Sequence, residues 1–301
     1  MDLSVKIGSL TLKNPVMPAS GTFGYELAPL LDINRLGAIV PKSITLSARG
    51  GNQTPRICEV DGGMINSIGI QSKGIDQYIA YILPAYRHYE PPLIASISGE
   101  TIDEFAQLAT LLDRQAGVAA LELNISCPNL RDNGQAFGMS ASATNQLLSS
   151  VRQVTDKPLI AKLTPNVTRI QDIADAAECG GADALTVANT FLAMAIDTES
   201  RKTRIGNIMG GLSGAAVKPL IVRLIYQVHQ ATNLPIIGSG GIMNGQDAVE
   251  MFLAGATAVQ IGTATFVQPN AMTTIIDEII TYLERHRIGA VTDLIGRFEL
   301  A

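Results

Sequence analysis

Two glycine-rich segments near the end of the sequence have the composition of a phosphate-binding site. Ile237–Ile242 contains three glycines and a serine, and Ile261-Gly262-Thr263 follows the next apolar run. Glycine lets backbone N–H groups approach an anion closely, and loops after neighbouring strands present such groups together. The pair therefore predicts a phosphate site, rather than two simple tight turns, at Gly240, Gly241, Gly262 and Thr263.

Two lysines each end a short apolar run. Lys42 closely follows Ala38-Ile39-Val40, and Lys162 follows Leu159-Ile160-Ala161. An ammonium group that is buried without a partner is costly, so lysines at these positions indicate an anionic cofactor or substrate. The alternative is that each side chain extends from the strand end to solvent. Asn189-Thr190 ends another apolar run and adds further donors and acceptors.

The segment Asn124-Ile125-Ser126-Cys127-Pro128-Asn129 places a thiol among small and polar residues, directly after an apolar run. A thiol with an ordinary pKa of about 8.5 can act as a general base or as a nucleophile. The alternative is a buried, unreactive thiol, which is how we interpret Cys58 and Cys179. The three histidines lie in or near helical segments, so a Ser-His-Asp triad is not expected. We also see no cluster of metal-ligating residues, and we expect no metal site.

Short apolar runs alternate with helical patterns along the chain. Eight runs are candidate buried parallel strands, at 16–19, 38–40, 93–95, 120–123, 159–161, 184–187, 236–237 and 258–261. Helical periodicity occupies 103–115, 145–154, 170–178, 217–229, 247–253 and 273–285. Eight such units in about 250–300 residues predict an α/β fold, a (β/α)8 TIM barrel. A doubly wound sheet is the main alternative, but Met243 stands where its dinucleotide fingerprint requires glycine.

Three connections are longer than a minimal barrel needs, at 43–92, 128–138 and 191–211. Each follows a predicted strand, so each is an inserted loop on the C-terminal face of the barrel, where barrel enzymes build their sites. No linker composition interrupts the chain, and we expect a single barrel domain over residues 1–301.

The composition excludes several classes of protein. The chain has 301 residues, 47% of them hydrophobic and 16% charged, with a net charge of −5. This balance excludes a disordered chain, and the lack of a basic excess argues against nucleic-acid binding. Three cysteines cannot supply the four thiolates of an ordinary iron–sulfur cluster. With no secretory signal pattern and no apolar run that could span a bilayer, we expect a cytoplasmic location.

An ordered series of motifs resembles the dihydroorotate dehydrogenases. The matching segments are 12–15, 19–21, 41–43, 51–56, 66–70, 124–129, 162–168, 210–214, 238–241 and 261–263. The resemblance implies an FMN-binding barrel that oxidises (S)-dihydroorotate to orotate in pyrimidine (UMP) biosynthesis. Cysteine at 127, where membrane-associated class 2 enzymes carry serine, is typical of class 1. Gly134–Gly138 and Asn166-Val167-Thr168 are similar to class 1B, the NAD-linked catalytic subunit.

The resemblance also implies a role for each matching residue. Cys127 would be the base that removes the C5 proton, while a hydride passes from C6 to N5 of FMN. Lys162 would stabilise the reduced flavin, and residues 128–138 would form a lid that excludes water. Substrate would be bound by Lys42, Asn66, Ser67, Ile68, Gly69, Ile70, Asn124, Asn189 and Thr190. FMN would be bound by Ser20, Lys42, Ser43, Asn124, Lys162, Gly214, Gly240, Gly241, Gly262 and Thr263.

Class 1B membership further implies one FMN per chain, with FAD and a [2Fe–2S] cluster only on a partner subunit that passes electrons to NAD. The expected assembly is a homodimer of this chain within a heterotetramer. The alternatives are a class 1A-like homodimer that reduces fumarate, a flavin-dependent RNA-modifying barrel, and a non-catalytic barrel that retains FMN. Two positions depart from the class 1B pattern: Ser96 replaces the usual asparagine, and Ala193 replaces the usual glycine.

Overall fold

A computed structural model of the chain describes residues 1–126 and 136–300. The strands are β1 (Val5–Ile7), β2 (Leu10–Leu12), β3 (Val16–Pro18), β4 (Ile57–Val60), β5 (Gly63–Asn66), β6 (Ile94–Ile97), β7 (Ala120–Asn124), β8 (Leu159–Lys162), β9 (Ala184–Val187), β10 (Phe191–Ala193), β11 (Ile196–Asp197), β12 (Lys202–Thr203), β13 (Gly210–Ser213), β14 (Ile236–Ser239) and β15 (Ala258–Ile261). The α-helices are α1 (Ile75–Gln77), α2 (Leu83–Tyr86), α3 (Ile102–Asp113), α4 (Ala141–Arg152), α5 (Ile170–Cys179), α6 (Lys218–His229), α7 (Gly245–Ala254), α8 (Ala264–Val267) and α9 (Ala271–His286). A π-helical segment, Tyr78–Ile82, joins α1 to α2.

Parallel strands build the central sheet in the order β3-β15-β14-β9-β8-β7-β6. The predicted strand at 38–40 does not form a regular strand, but its backbone closes the ring between the two ends of this sheet. Gly37 N–H donates to the carbonyl of Val16 in β3, and Ile94 N–H of β6 donates to the carbonyl of Ile39. The predicted (β/α)8 barrel is therefore confirmed. One of its eight strand positions, the segment 38–40, is held by isolated bridges instead of regular strand pairing.

The helices pack apolar stripes against the outside of the barrel, as their periodicity predicts. In α3 the buried residues include Phe105, Leu108 and Leu112, and the Thr101 side chain caps the helix by accepting from Glu104 N–H. The predicted start of α4 at residue 145 was too late. Ser140 caps this helix, and its first turn consists of small residues that carry no apolar periodicity.

The first and third insertions pair with each other above the barrel. Strands from both form an antiparallel sheet in the order β10-β13-β5-β4. Within it, Asn66 of the first insertion pairs with Gly211 of the third. The sheet lies at the carboxyl ends of the barrel strands, because its strand β10 directly follows barrel strand β9. Another of its strands, β5, leads directly into the loop 66–70.

One interpretation of the cysteines was wrong. Cys58 is partly buried, but Cys179 is exposed rather than buried. The buried positions of α5 are Ile170, Ile173, Ala174 and Ala177, and Cys179 lies off that stripe. Across the described ranges, no helix combines the length and hydropathy needed to cross a lipid bilayer.

Candidate active site

The predicted phosphate loops converge where β13, β14 and β15 end. Gly241 has φ of +81°, and a Cβ atom there would lie 2.5 Å from the Cα of Lys218, at the start of α6. Gly214 has φ of +110°, and a Cβ atom there would lie 2.5 Å from the Cα of Gly63. Thr263 Oγ1 donates to Ser213 Oγ at 2.8 Å, which ties the loop after β15 to β13. Only glycine fits at Gly241 and Gly214, where the backbone packs closely against the start of α6 and against β5, respectively.

Lys218, at the start of α6, holds this loop cluster through ion pairs. Its ammonium group lies 2.7 Å from Asp247 Oδ1 and 2.8 Å from Glu250 Oε2. The hydrogen bonds to Asp247 and then Glu250 raise the pKa of Lys218. Asp247 also accepts from Met243 N–H at 2.9 Å. The lysine therefore joins the first turn of α6 to the loop after β14.

A chain of hydroxyl groups lies beside the end of β3. Ser43 Oγ is hydrogen-bonded to Ser20 Oγ and to Ser96 Oγ, each at 2.9 Å. Ser96, the residue that departs from the class 1B pattern, is buried in β6 and partners the predicted flavin ligand Ser43. Lys42 is exposed and lies over Gly21, where a Cβ atom would be 2.9 Å from its Cδ.

Lys162 ends β8 inside the barrel, within a buried polar network. Its ammonium nitrogen donates to Gln260 Oε1 at 2.8 Å and lies 3.8 Å from Glu122 Oε1. Gln260 Nε2 in turn donates to Glu122 Oε2 at 2.5 Å, and Thr186 Oγ1 donates to the same oxygen at 3.1 Å. The side chain of Lys162 is 8% exposed, so only its tip reaches the carboxyl end of the barrel.

The predicted asparagines form a connected group at the ends of β7 and β9. Asn189 Nδ2 donates to Asn124 Oδ1 at 3.1 Å, while Asn189 Oδ1 accepts from Thr190 N–H at 2.8 Å. Asn166, from the loop after β8, donates to the Thr190 carbonyl and accepts from Leu192 N–H. These contacts hold amide groups from three neighbouring loops together, with Asn124 and Asn189 half-buried and Asn166 exposed.

The predicted substrate loop 66–70 is fixed by residues from both insertions. Asn52 Nδ2 donates to Ser67 Oγ at 3.0 Å, and its backbone N–H donates to the Ile68 carbonyl. From the third insertion, Asn207 Nδ2 donates to Ser67 Oγ at 2.8 Å. Asn66 Nδ2 donates to the Gly211 carbonyl at 3.3 Å. Gly69 and Ile70 continue the loop and are half-buried.

The structure thus brings the predicted residues of the described ranges to the carboxyl end of the barrel. Cys127 and most of the predicted lid, 128–135, lie outside the described residues. Just before them, Ser126 Oγ is buried and has no hydrogen-bond partner among the described residues.

Sequence reasoning missed the residues that support the site. Glu122 and Gln260 each interrupt an apolar strand, and that interruption was the available signal. Asn52 and Asn207 carried no such signal, because their contacts with Ser67 depend on the pairing of two distant insertions.

A barrel with packed glycine loops after β14 and β15, a buried lysine and converging amide groups belongs to the class of β/α-barrel enzymes that bind an anionic ligand at their strand ends. Residues 2–283 match the family model described as dihydroorotate dehydrogenase. The chain belongs to the dihydroorotate dehydrogenase family. It is therefore an oxidoreductase of pyrimidine biosynthesis, and its family binds a flavin to oxidise dihydroorotate.

Curated relatives match the chain over nearly its full length. A protein of Geotalea uraniireducens is 49% identical over 297 residues, which cover 98% of this chain and 97% of that protein. One of Desulforamulus reducens is 49% identical and covers 100% of this chain and 99% of its own. One of Bacteroides fragilis is 46% identical and covers 99% of each. All three are named as the catalytic subunit of dihydroorotate dehydrogenase B (NAD(+)).

Proposed function

We propose that this chain is the FMN-binding catalytic subunit of a class 1B, NAD-linked dihydroorotate dehydrogenase. The observation that carries the proposal is the meeting of two features at one end of the barrel. These are the packed glycine loops after β14 and β15 and the buried ammonium group of Lys162. The names of the relatives favour the NAD-linked subclass.

The described residues fit FMN on their own geometry. We assign the phosphate contacts to the backbone N–H groups of Gly240, Gly241, Gly262 and Thr263, and a further FMN contact to Gly214, which packs against Gly63. The ammonium of Lys162 has three donors, of which one goes to Gln260, so it can also donate to an electron-rich ring edge. The further FMN contacts we assign are Ser20, Lys42, Ser43 and Asn124.

The chain's own residues would then bind dihydroorotate and move one proton. A bound FMN would supply a two-electron acceptor for the hydride that leaves C6 of the substrate. Asn66, Asn124, Asn189 and Thr190 hold the pyrimidine ring and its carboxylate, with backbone donors from Ser67, Ile68, Gly69 and Ile70 and the ammonium of Lys42. Asn124, Asn189 and Thr190 are already held by hydrogen bonds to one another, so little reorganisation of these residues accompanies binding.

Cys127 is the proposed base, and it removes the C5 proton of the substrate as its thiolate. This assignment rests on the motif Asn124–Asn129 and on family membership. Lys162 contributes a positive charge in a dry site, where it stabilises the negative charge that reduction creates. The segment 128–138 acts as a lid that keeps water from the reacting groups.

Electrons leave this subunit through a partner. We propose a partner with FAD and a [2Fe–2S] cluster that reduces NAD, in a heterotetramer built on a homodimer of this chain. The three cysteines of the sequence are too few for such a cluster here. The expected location is the cytoplasm, and no nucleic acid or membrane takes part.

An anaerobic experiment on the purified yellow protein tests the proposal. Dihydroorotate is added first, and the loss of visible flavin absorbance is followed; fumarate and NAD are then added to separate samples. We expect bleaching that persists with both acceptors, because the partner subunit is missing. Reoxidation by fumarate would instead support a class 1A-like enzyme, and flavin-loaded protein that never bleaches would overturn the substrate assignment.

A further inference from the structure

The interior of the barrel contains a carboxylate that the proposed chemistry does not use. Glu122 is fully buried in β7, between Leu121 and Leu123 in sequence. Burying an ionised carboxylate costs far more than burying an apolar side chain of similar size, unless charged and hydrogen-bonding groups surround it. Packing alone therefore does not explain why a carboxylate occupies position 122, given the free-energy cost of burying it.

The surroundings of Glu122 point toward Lys162. The carboxylate lies 3.8 Å from the ammonium nitrogen of Lys162, which is too long for a direct hydrogen bond. Gln260 bridges the two groups, because it accepts from Lys162 at 2.8 Å and donates to the other carboxylate oxygen, Glu122 Oε2, at 2.5 Å. The arrangement is an ion pair supported by an amide that is hydrogen-bonded to both charged groups.

This arrangement has two physical consequences. Gln260 fixes the direction of one N–H group of Lys162 and leaves the others for a ligand at the mouth of the barrel. Glu122 places a negative charge behind the ammonium at ion-pair distance, without a direct hydrogen bond to it. Part of the positive potential at the mouth of the barrel is thereby offset.

We propose that Glu122 is a positioning residue that acts through Gln260 on Lys162 and lowers the reduction potential of the bound flavin. The inference rests on the proposed function, since it requires a flavin beside Lys162. A lower potential makes the reduced cofactor a better donor to the next electron carrier. Glu122 Oε1 fits this role, because it accepts no hydrogen bond among the described residues and acts through its charge.

The test is the affinity of the FMN-loaded protein for sulfite, which adds to oxidised flavin more tightly as the flavin potential rises. In Glu122→Gln the carboxylate becomes an amide of the same shape. We expect sulfite to bind about tenfold more tightly, which corresponds to ~1.4 kcal/mol and to a midpoint potential ~30 mV higher.

Two further variants separate charge from structure. Glu178→Gln removes the same charge from the exposed end of α5, where the carboxylate accepts from Thr232, and is expected to leave sulfite affinity unchanged. Thr186→Val removes a hydrogen bond to Glu122 but keeps the charge, so it is expected to lower thermal stability and to change sulfite affinity less than threefold, which is under ~0.7 kcal/mol. If Glu122→Gln does not fold, Glu122→Met fills the same space without charge and is expected to shift affinity in the same direction.

The outcomes distinguish this inference from the proposed function. Protein that binds FMN and is bleached by dihydroorotate, but whose Glu122 variants show unchanged or weaker sulfite binding, would overturn the role of Glu122 alone. A wild-type protein that binds FMN but is not bleached by dihydroorotate would overturn the proposed function, while the sulfite comparison could still be made. Tighter sulfite binding in the Glu122 variants, with no change in Glu178→Gln, would support the inference.

Discussion

Replacing Gly241 by alanine is expected to weaken FMN binding by disturbing the loop after β14. The residue has φ of +81°, and its new Cβ would lie 2.5 Å from Lys218 Cα and 2.6 Å from Lys218 N. Both neighbouring atoms are backbone, so the loop or the first turn of α6 must move.

The size of the effect follows from two energetic costs, the strained backbone and the steric overlap of the new Cβ. Left-handed backbone costs a non-glycine residue about 1–2 kcal/mol, and overpacking typically adds about 1–3 kcal/mol. Partial relaxation of the loop leaves about 2 kcal/mol, which is a roughly 30-fold loss in affinity if the strained loop carries the phosphate contacts. The melting temperature of FMN-free protein is expected to fall by about 3 °C.

Gly262→Ala is the matched control within the same loop cluster. Its Cβ would lie 3.5 Å from Ala19 Cβ, which is an ordinary contact, and it is expected to leave the melting temperature of FMN-free protein nearly unchanged. Fluorescence titration with FMN and thermal melts of FMN-free protein give both quantities. A Gly241→Ala protein that binds FMN like the wild type would show that this loop does not carry the phosphate contacts.

Other variants test the remaining parts of the site. Cys127→Ala is expected to retain FMN but to slow flavin reduction by dihydroorotate by about 10²–10⁴-fold, and Cys127→Ser is expected to give an intermediate rate. Stopped-flow measurement of flavin reduction tests this, and an unchanged rate in Cys127→Ala would refute the assignment of Cys127 as the base. Cys179→Ala, at the exposed end of α5, serves as its control. Asn207→Ala removes a hydrogen bond to Ser67 and should raise the KM for dihydroorotate about 2–10-fold with little change in kcat; a fall in kcat alone would contradict this. Because Asp247 and Glu250 raise the pKa of Lys218, its contribution to stability is present below the ordinary lysine pKa of about 10.4 and is lost as pH rises through the higher folded value. Melts of Lys218→Met and wild type should therefore differ equally from pH 6 to about 9.5 and converge only at more alkaline pH.

The barrel could be predicted because its strands carry their own signal. Seven of them are predominantly apolar runs, which is the pattern of a parallel strand covered on both sides. The glycine loops could be predicted because glycine at a strand end has few other uses. The prediction of a regular second strand was wrong. Ala38-Ile39-Val40 is apolar, which predicts a strand, but the segment is joined to its neighbours only through isolated bridges.

The antiparallel sheet above the barrel could not be predicted, because its strands are short and their partners are distant. Ile65 pairs with Leu212, and nothing local in either segment specifies that choice. Glu122 was read as part of an apolar run, although a charge in such a run is itself a sign of a buried network. Its partner Gln260 lies at the far end of the chain, so only the closed barrel brings them together.

Closure of the barrel also determines when the site can form during synthesis. Val16 near the start of the chain pairs with Val259 near its end, and the predicted ligand-binding residues extend from Ser20 to Thr263. Contacts between such distant segments form late and slow the folding of a chain. During synthesis the last barrel strand, β15, is made just before α8 and α9. Until β15 is in place, β3 and β14 have open edges. Flavin capture and closure of the barrel by β15 are therefore expected to coincide.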